Sequence, residues 1–328
     1  MKKNISKKNN FTEAIIIDRL FSKLNFNKPE TFNFKNDAAF LKNKSNHKII
    51  ATNDSISENI DFFINDDPKS IAQKIITYNL SDLSAMGAKP YCYMLNLCLT
   101  EKINYNWLKV FTNHLLKLQK KYNFFLLGGD LSKSNSLMIS STFYGYAKSN
   151  YIIPQNKVKN HDNIWVTGNL GDSCLGFKIK KNKKIKLNLK YRNYFLNKYY
   201  LPKPCMLGFH IAKLCSSAID ISDGFYGDLN KMLNNNFGAI LNVKSIPISN
   251  NLKNMINNNL ILLDEVLNWG DDYQLIFTSH SKFEKNIIKI AKEKKVKITK
   301  IGRITNKPGI YTDSLKLINS YRYYDHFA

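Results

Sequence analysis

Apolar residues follow two different spacings that alternate along this chain, and this alternation limits the possible folds more than any other feature of the sequence. Segments with apolar residues at every third or fourth position, the pattern of a helix, are separated by short apolar runs of the kind that form strands. A helix is predicted from Pro68 to Gly87, for example, and a strand over 91–99 follows it. Helices and strands in this order indicate a mixed α and β protein.

The length of 328 residues exceeds what one hydrophobic core usually organises, so we expect two domains. Residues 148–162 are polar and contain Pro154, and we place the boundary there, between a domain of residues 1–150 and one of residues 151–328. Further helices are predicted over 12–25 and 104–122. Further strands are predicted over 31–41, 48–53, 124–130 and 136–147 and at "NIWVTG", "SAIDIS" and "YQLIFT".

The basic residues give the chain a formal net charge of +24, since 49 Lys and Arg stand against 25 Asp and Glu. A surplus of this size suggests a nucleic-acid or anionic-membrane partner. Only four of the 49 are Arg, however, and proteins that read base edges depend on the bidentate Arg side chain. The Lys-rich runs at 178–190 and 282–300 have few interleaved aromatic residues. We therefore favour a solvated surface, and a nucleic-acid-binding module is the remote alternative.

The sequence also indicates where the protein works. No stretch approaches the ~20 consecutive apolar residues of a membrane span. The N-terminus is basic, but the apolar run after it contains Glu13 and Asp18, which is typical of an amphipathic helix and not of a signal peptide. Five Cys residues, an odd number without a C-x-x-C pair, indicate free thiols with neither a disulfide nor a zinc site. We expect a cytoplasmic protein without a membrane partner.

The acidic residues are scarce, and nine of the 25 stand at strand ends, glycine turns or helix junctions. All nine are Asp, the short carboxylate that suits hard cations such as Mg²⁺ when a rigid backbone holds it. Asp is also a common helix cap and turn former, so capping explains many of these positions equally well. The nine residues are Asp37, Asp54, Asp82, Asp130, Asp220, Asp223, Asp228, Asp271 and Asp272.

Asp82 and Asp130 have settings that favour binding over capping. Asp82 lies inside the predicted 68–87 helix beside its apolar face, where an Asp is costly unless it binds something. Asp130 directly follows Gly128-Gly129, which we predict to form a glycine turn at the end of the 124–130 strand. Glycines at such a point would let a phosphate group approach the backbone.

The segment "IDISDGFYGDL" adds two carboxylates, Asp220 and Asp223, on either side of a strand-to-helix turn. The helix that starts after Gly224 would favour an anion at its N-terminus. A second glycine turn, "TGNLGDS", either cradles phosphate or is a plain strand-to-helix turn. Carboxylates and glycine turns together predict metal-assisted phosphate chemistry. The chain contains neither a Walker A motif nor the protein-kinase motif set, so neither of those folds is expected.

Six segments resemble thiamine-monophosphate kinases, a family of the aminoimidazole-ribonucleotide synthetase superfamily. In order they are "TYNLSDLSAMGAKP", "LLGGD", "VTGNLGDS", "AIDISDGFYGDL", "GDDYQL" and "YDHF". The resemblance implies an N-terminal α+β domain that dimerises through its sheet and a C-terminal α/β domain. It further implies that ATP and several Mg²⁺ ions bind in a groove between the domains. The implied reaction transfers the γ-phosphoryl group of ATP directly to thiamine monophosphate and produces thiamine diphosphate.

The same resemblance implies the site residues, carried over position by position. The implied metal ligands are Asp37, Thr52, Asn53, Asp54, Asp82, Asp130, Asp220 and Asp223. Among these, Asp54, Asp82 and Asp130 are the implied catalytic residues. The implied contacts to ATP are Gly129, Asp130, Gln155 and Ser222, and the implied contacts to thiamine monophosphate are Asp61, Asp271 and Tyr324. An aromatic ring such as that of Tyr324 can stack on a flat cationic heterocycle.

The chain departs from the family pattern at several of these positions. The first motif is "FKND" in place of a glycine-rich segment with two acids, and Asn53 stands where a hydroxyl residue is common. Asp61 replaces a His, Gln155 an Arg and Asp271 a Glu. Another ATP-dependent member of the superfamily, such as aminoimidazole-ribonucleotide synthetase, is the alternative function. The "YDHF" segment favours the thiamine-phosphate member.

Overall fold

The computed structural model describes residues 12–182 and 184–318, which form two compact units. The N-terminal unit comprises residues 12–45, 51–79 and 90–145. The C-terminal unit comprises residues 46–50, 80–89, 146–182 and 184–318. Both units contain helices and strands, which confirms the mixed class. The domain boundary between residues 150 and 151 stays a prediction.

A four-stranded sheet carries most of the N-terminal unit, in the order β1-β4-β2-β3. Strands β2 and β3 are parallel and are joined by helix α3, so these three elements form a β-α-β unit. Asn104 caps this helix by accepting a hydrogen bond from the Trp107 N–H, and Asn123 ends it in a left-handed conformation. The bounds are His47–Ser57 for β1, Lys89–Leu99 for β2, Tyr105–Tyr122 for α3, Phe125–Lys133 for β3 and Met138–Lys148 for β4.

Helix α2, Pro68–Ala85, begins and ends where the sequence predicts. Pro68 occupies its first position, and Gly87 follows its end with a φ of +70°, a conformation that favours glycine. The face predicted to be apolar is fully buried at Ile71, Ile75 and Leu83. The first helix is also confirmed, although its winding changes along its length. It runs as helix α1, Glu13–Ile16, then as a π-helix, Ile17–Phe21, and then as a 3₁₀ helix, Ser22–Asn25.

A six-stranded sheet forms the centre of the C-terminal unit, in the order β10-β7-β9-β5-β8-β6. Its neighbouring strands are antiparallel except for the parallel pair of β10 and β7. Its strands are Asn163–Thr167 (β5), Ser217–Asp220 (β6), Gly238–Leu241 (β7), Leu275–Ser279 (β8), Ile298–Thr305 (β9) and Gly309–Thr312 (β10). Its helices are Asp172–Lys181 (α4), Leu189–Tyr200 (α5), Gly208–Ile211 (α6), Phe225–Leu233 (α7), Asn250–Asn257 (α8), Leu263–Leu267 (α9) and Glu284–Glu293 (α10).

The predicted strand over 31–41 is wrong. Residues Pro29–Phe34 form a 3₁₀ helix with a kink at Phe32, and no regular element continues to residue 41. The alternation of polar and apolar residues in "TFNF" imitates a strand. The buried side chains, however, are those of Glu30 and Thr31, whereas Phe32 is exposed. Glu30 is held in place by the Tyr91 hydroxyl, which donates to its carboxylate at 2.5 Å.

The glycine turn predicted at the end of the 124–130 strand is also wrong, because strand β3 continues through both glycines to Lys133. Gly129 pairs with Leu95 and Asp130 with Asn96 of the neighbouring strand β2. Within the described residues, no helix is both long and apolar enough to cross a membrane.

Candidate active site

In the N-terminal unit, Asp37, Gly129 and Asp130 line one cavity of about 240 Å³. The first helix, the loop at residues 36–39 and the strands β2 and β3 form its walls. Asp37 and Asp130 are both exposed, so their carboxylates are available to a ligand. The structure therefore brings together two predicted metal ligands and a predicted ATP contact, although these residues are far apart in the sequence.

The backbone of strand β2 explains why residue 129 is glycine. A Cβ atom added to Gly129 would lie 1.9 Å from the carbonyl oxygen of Leu95, a distance that no real pair of atoms adopts. The same atom added to the neighbouring Gly128 would meet nothing closer than the Met94 side chain at 3.9 Å. Close approach of two strands, rather than of a phosphate group, therefore accounts for Gly129.

The predicted metal segment Thr52–Asp54 lies on strand β1, where successive side chains point to opposite faces of the sheet. Thr52 and Asp54 consequently share one face, and Asn53 occupies the other. The Asn53 amide nitrogen donates to the Thr142 hydroxyl at 2.7 Å, so its amide oxygen is the atom suited to a metal. Because of this alternation, the strand brings two of the three residues to one side.

Asp61 closes the turn that follows strand β1. Its carboxylate accepts the Ser57 N–H at 2.8 Å, and its backbone carbonyl accepts the Lys74 ammonium at 2.6 Å. These hydrogen bonds give Asp61 a structural role in the turn. Its contact with the substrate stays a prediction.

In the C-terminal unit, Asp228 organises the turn between strand β6 and helix α7. One of its carboxylate oxygens accepts three successive backbone N–H groups, those of Ser222, Asp223 and Gly224, at 3.0–3.2 Å. The Asp228 side chain is buried. The N–H groups that we expected to attract a ligand anion at this helix start are thus already satisfied by a carboxylate of the protein.

The loop at residues 269–273 is fastened directly to this turn by backbone hydrogen bonds. The Asp271 N–H donates to the Ser222 carbonyl and the Tyr273 N–H to the Ile221 carbonyl, each at 2.9 Å. A Cβ atom on Gly270 would lie 1.6 Å from the Ser222 carbonyl oxygen, so only glycine allows the two segments to meet. The predicted ATP contact Ser222 and the predicted substrate contact Asp271 therefore occupy one assembly of loops.

The glycine turn at residues 168–173 joins the same assembly. The Gly171 N–H donates to both carboxylate oxygens of Asp272 at 2.9 Å, and the Ser173 hydroxyl donates to the Gly270 carbonyl at 3.1 Å. Gly171 precedes helix α4 with a φ of +82°. Because Asp272 satisfies the Gly171 N–H, the structure supports a plain strand-to-helix turn over a phosphate cradle.

The end of helix α2, which carries Asp82, is also linked to this assembly within the C-terminal unit. The Ser84 hydroxyl donates to the Cys205 carbonyl at 2.6 Å, and the Cys205 N–H donates to the Tyr273 carbonyl at 3.0 Å. Asp82 itself is partly buried. One intervening residue, Cys205, thus connects the helix of a predicted metal ligand to the predicted substrate loop.

The remaining predicted site residues of the C-terminal unit are more dispersed. Asp220 ends strand β6 and is buried, whereas Gln155 is exposed and its backbone carbonyl accepts the Ser217 hydroxyl. Tyr324 lies outside the described residues.

Burial raises the pKa of Asp272 well above its ordinary value, although the Gly171 N–H and the Ser173 hydroxyl oppose the shift. The unfolded chain gives up this proton at a lower pH than the folded chain does. Rising pH between the two pKa values therefore favours unfolding.

We expect the unfolding free energy of wild type to fall relative to that of Asp272→Asn as the pH is raised from about 4 towards 7. Urea denaturation of both proteins across this range measures the difference. The exposed Asp264→Asn is the control, and a pH-independent difference for Asp272→Asn would contradict the assignment.

A metal cage made only of protein side chains is absent from the described residues. No group of three or more His, Cys, Asp or Glu side chains within residues 12–182 and 184–318 is arranged to hold a metal ion. Mg²⁺, however, usually binds one or two carboxylates and takes its other ligands from phosphate groups and water. The hard oxygen donors Asp37 and Asp130 in one cavity, and Asp220 and Asp223 at one turn, suit this mode of binding.

Sequence reasoning missed the roles of Asp228 and Asp272. Both appear among the nine Asp residues noted above, but their hydrogen bonds to the turns are visible only in the structure. The signal available for Asp228 is its spacing, since it follows by four to six residues the N–H groups that it accepts. Asp272 offers no such signal, because Gly171 is 101 positions away.

The fold and these loops define a known class of protein. Residues 35–147 match the family model for the N-terminal domain of AIR synthase related proteins. Among curated proteins, the thiamine-monophosphate kinase of Buchnera aphidicola from Schizaphis graminum is 35% identical over 305 residues, which are 90% of this chain and 92% of that protein. The same enzyme of Buchnera aphidicola from Acyrthosiphon pisum is 36% identical over 327 residues, 97% of this chain and 99% of that protein.

A solved structure agrees with these relatives. The crystal structure of thiamine-monophosphate kinase from Stenotrophomonas maltophilia K279a is 28% identical in sequence, with a TM-score of 0.77. The match covers 87% of this chain and 90% of that one. The chain belongs to the thiamine-monophosphate kinase family.

Proposed function

We propose that this protein transfers the γ-phosphoryl group of ATP to thiamine monophosphate and so produces thiamine diphosphate. The observation that carries the proposal is its 36% identity to a thiamine-monophosphate kinase over 97% of the chain. The assembly of three motif loops in the C-terminal unit supports it, because the predicted nucleotide and substrate contacts Ser222 and Asp271 are held together there.

The reaction needs neither a nucleophilic side chain nor a general base. A phosphate oxygen of thiamine monophosphate, which is already anionic, attacks the γ-phosphorus of ATP, the bond to the β-phosphate oxygen breaks, and ADP leaves. The protein positions the two phosphate groups in line. We assign nucleotide contacts to Gly129, Asp130, Gln155 and Ser222. We assign substrate contacts to Asp61, Asp271 and Tyr324.

Mg²⁺, when bound, neutralises the charge that develops on the phosphate oxygens. We give the catalytic roles to Asp54, Asp82 and Asp130. The proposed metal ligands are Asp37, Thr52, Asn53, Asp54, Asp82, Asp130, Asp220 and Asp223.

The protein acts as a homodimer in the cytoplasm under this proposal. Strands β1 and β3 are the outer strands of the N-terminal sheet as far as the chain is described, and outer strands are where sheets of two subunits can meet. All five cysteines are free, which suits a reducing compartment. Size-exclusion chromatography with light scattering measures the subunit number.

Purified protein incubated with ATP, Mg²⁺ and thiamine monophosphate is expected to form thiamine diphosphate, measured by chromatography of the products. Thiamine and formylglycinamidine ribonucleotide serve as control substrates, and a chelator replaces Mg²⁺ in a parallel reaction. Turnover of the ribonucleotide without any thiamine diphosphate would move the assignment to aminoimidazole-ribonucleotide synthetase.

A further inference from the structure

The Lys231 ammonium lies between two carboxylates at the start of helix α7. It is 2.5 Å from an oxygen of Asp223 and 2.9 Å from an oxygen of Asp228. Asp223 is one of the proposed metal ligands, whereas Asp228 holds the turn through the three N–H groups described above. The ammonium thus supplies the positive charge beside the Asp223 carboxylate.

The two carboxylates differ in how firmly they hold this ammonium. The Asp228 side chain is 1% exposed, and a buried carboxylate depends on its counterion. The Asp223 side chain is 34% exposed, and contact with solvent weakens an ion pair at such a position. Asp223 is therefore the partner that can be exchanged, while Asp228 keeps Lys231 at the turn.

We propose that Lys231 is a built-in counterion of Asp223, and that a divalent cation must displace its ammonium before Asp223 can bind the cation. The inference rests on the proposed role of Asp223 as a metal ligand. Lys231 holds the Asp223 carboxylate beside the turn while the divalent cation is absent, and it lowers the affinity of that carboxylate for the cation. Lys231 is a positioning residue and takes no part in the chemical step.

Titration of the full chain with Mn²⁺, followed by electron paramagnetic resonance of the free ion, tests this effect without any turnover. Lys231→Met keeps the length of the side chain and removes its charge at an exposed helix position. We expect the dissociation constant of the tightest Mn²⁺ site to fall by at least roughly fivefold. The matched control is Lys300→Met, which removes an ammonium of similar exposure that pairs with Glu284 at 2.9 Å.

A mutant cycle assigns the effect to Asp223. In the Asp223→Asn background, Lys231→Met is expected to leave the dissociation constant unchanged. The double variant Asp228→Asn with Lys231→Met removes the buried charge together with its counterion. Its Mn²⁺ affinity can therefore be measured even if Lys231→Met alone is unstable. Equal or weaker Mn²⁺ binding in folded Lys231→Met and in the folded double variant with Asp228→Asn, compared with Lys300→Met, would overturn the inference.

The wild-type assay separates this inference from the proposed function. If wild type makes thiamine diphosphate and Lys231→Met binds Mn²⁺ no more tightly, the counterion role fails and the function stands. If wild type makes no thiamine diphosphate while the mutant cycle gives the expected coupling, the function fails and the counterion role stands.

Discussion

Replacing Asp130 with alanine is expected to lower kcat for thiamine diphosphate formation by at least about a hundredfold while the protein stays folded. Asp130 is exposed on strand β3, so the fold does not depend on its side chain. It lines the same cavity as Asp37, where the proposed function makes both residues metal ligands. Loss of a ligand that fixes the metal on the phosphate groups removes several kcal/mol of transition-state stabilisation.

Steady-state rates at several Mg²⁺ concentrations measure this effect, and circular dichroism confirms the fold. The control is Asp313→Ala, which removes another exposed carboxylate. We expect part of the lost rate to return at high Mg²⁺ concentration, because the remaining ligands bind the ion more weakly. A kcat within a factor of about three of wild type would remove Asp130 from the active site.

The substitution of Gly129 by alanine is expected to lower the unfolding free energy by about 3 kcal/mol, the upper end of the usual cost of overpacking. Its Cβ atom would lie 1.9 Å from the Leu95 carbonyl oxygen, and that oxygen belongs to the backbone of the paired strand. Neither strand can move away without loss of ladder hydrogen bonds. Urea denaturation measures the change.

The neighbouring glycine provides the matched control. Gly128→Ala places its Cβ atom 3.9 Å from the flexible Met94 side chain, which is ordinary van der Waals contact. We expect its unfolding free energy to stay within about 1 kcal/mol of wild type. Equal losses for the two variants would show that the approach of β2 to β3 is not what requires glycine at residue 129.

The helices were the most predictable elements of this fold. Helices α2 and α3 follow from their apolar periodicity, and α2 also from Pro68 at its first position, because these signals lie within the helices themselves. The strand expected over 31–41 failed because its alternating pattern does not correspond to burial, since Glu30 is buried and Phe32 is exposed.

The candidate site was predictable in its residue types and less so in its geometry. Order and spacing of the motifs identified the family that the relatives then confirmed. The motifs could not show that Gly129 is required by strand β2, or that Asp228 satisfies the helix start expected to favour an anion. They also could not show that Asp272 satisfies the Gly171 N–H, in the turn for which both a phosphate cradle and a plain turn were open. Each of these facts depends on a backbone atom that lies near only after folding.

Short-range patterns and motifs are enough to predict the class of fold, the family and the scarce carboxylates that the chemistry needs. Which carboxylates can meet a ligand and which hold the loops became visible only once the chain was folded. The Asp272 carboxylate accepts a hydrogen bond from the Gly171 N–H, 101 positions away in the sequence. The Lys231 ammonium forms ion pairs with both Asp223 and Asp228. The physical reason is that hydrogen bonds and ion pairs depend on distances of about 3 Å, which packing of the strands and helices sets.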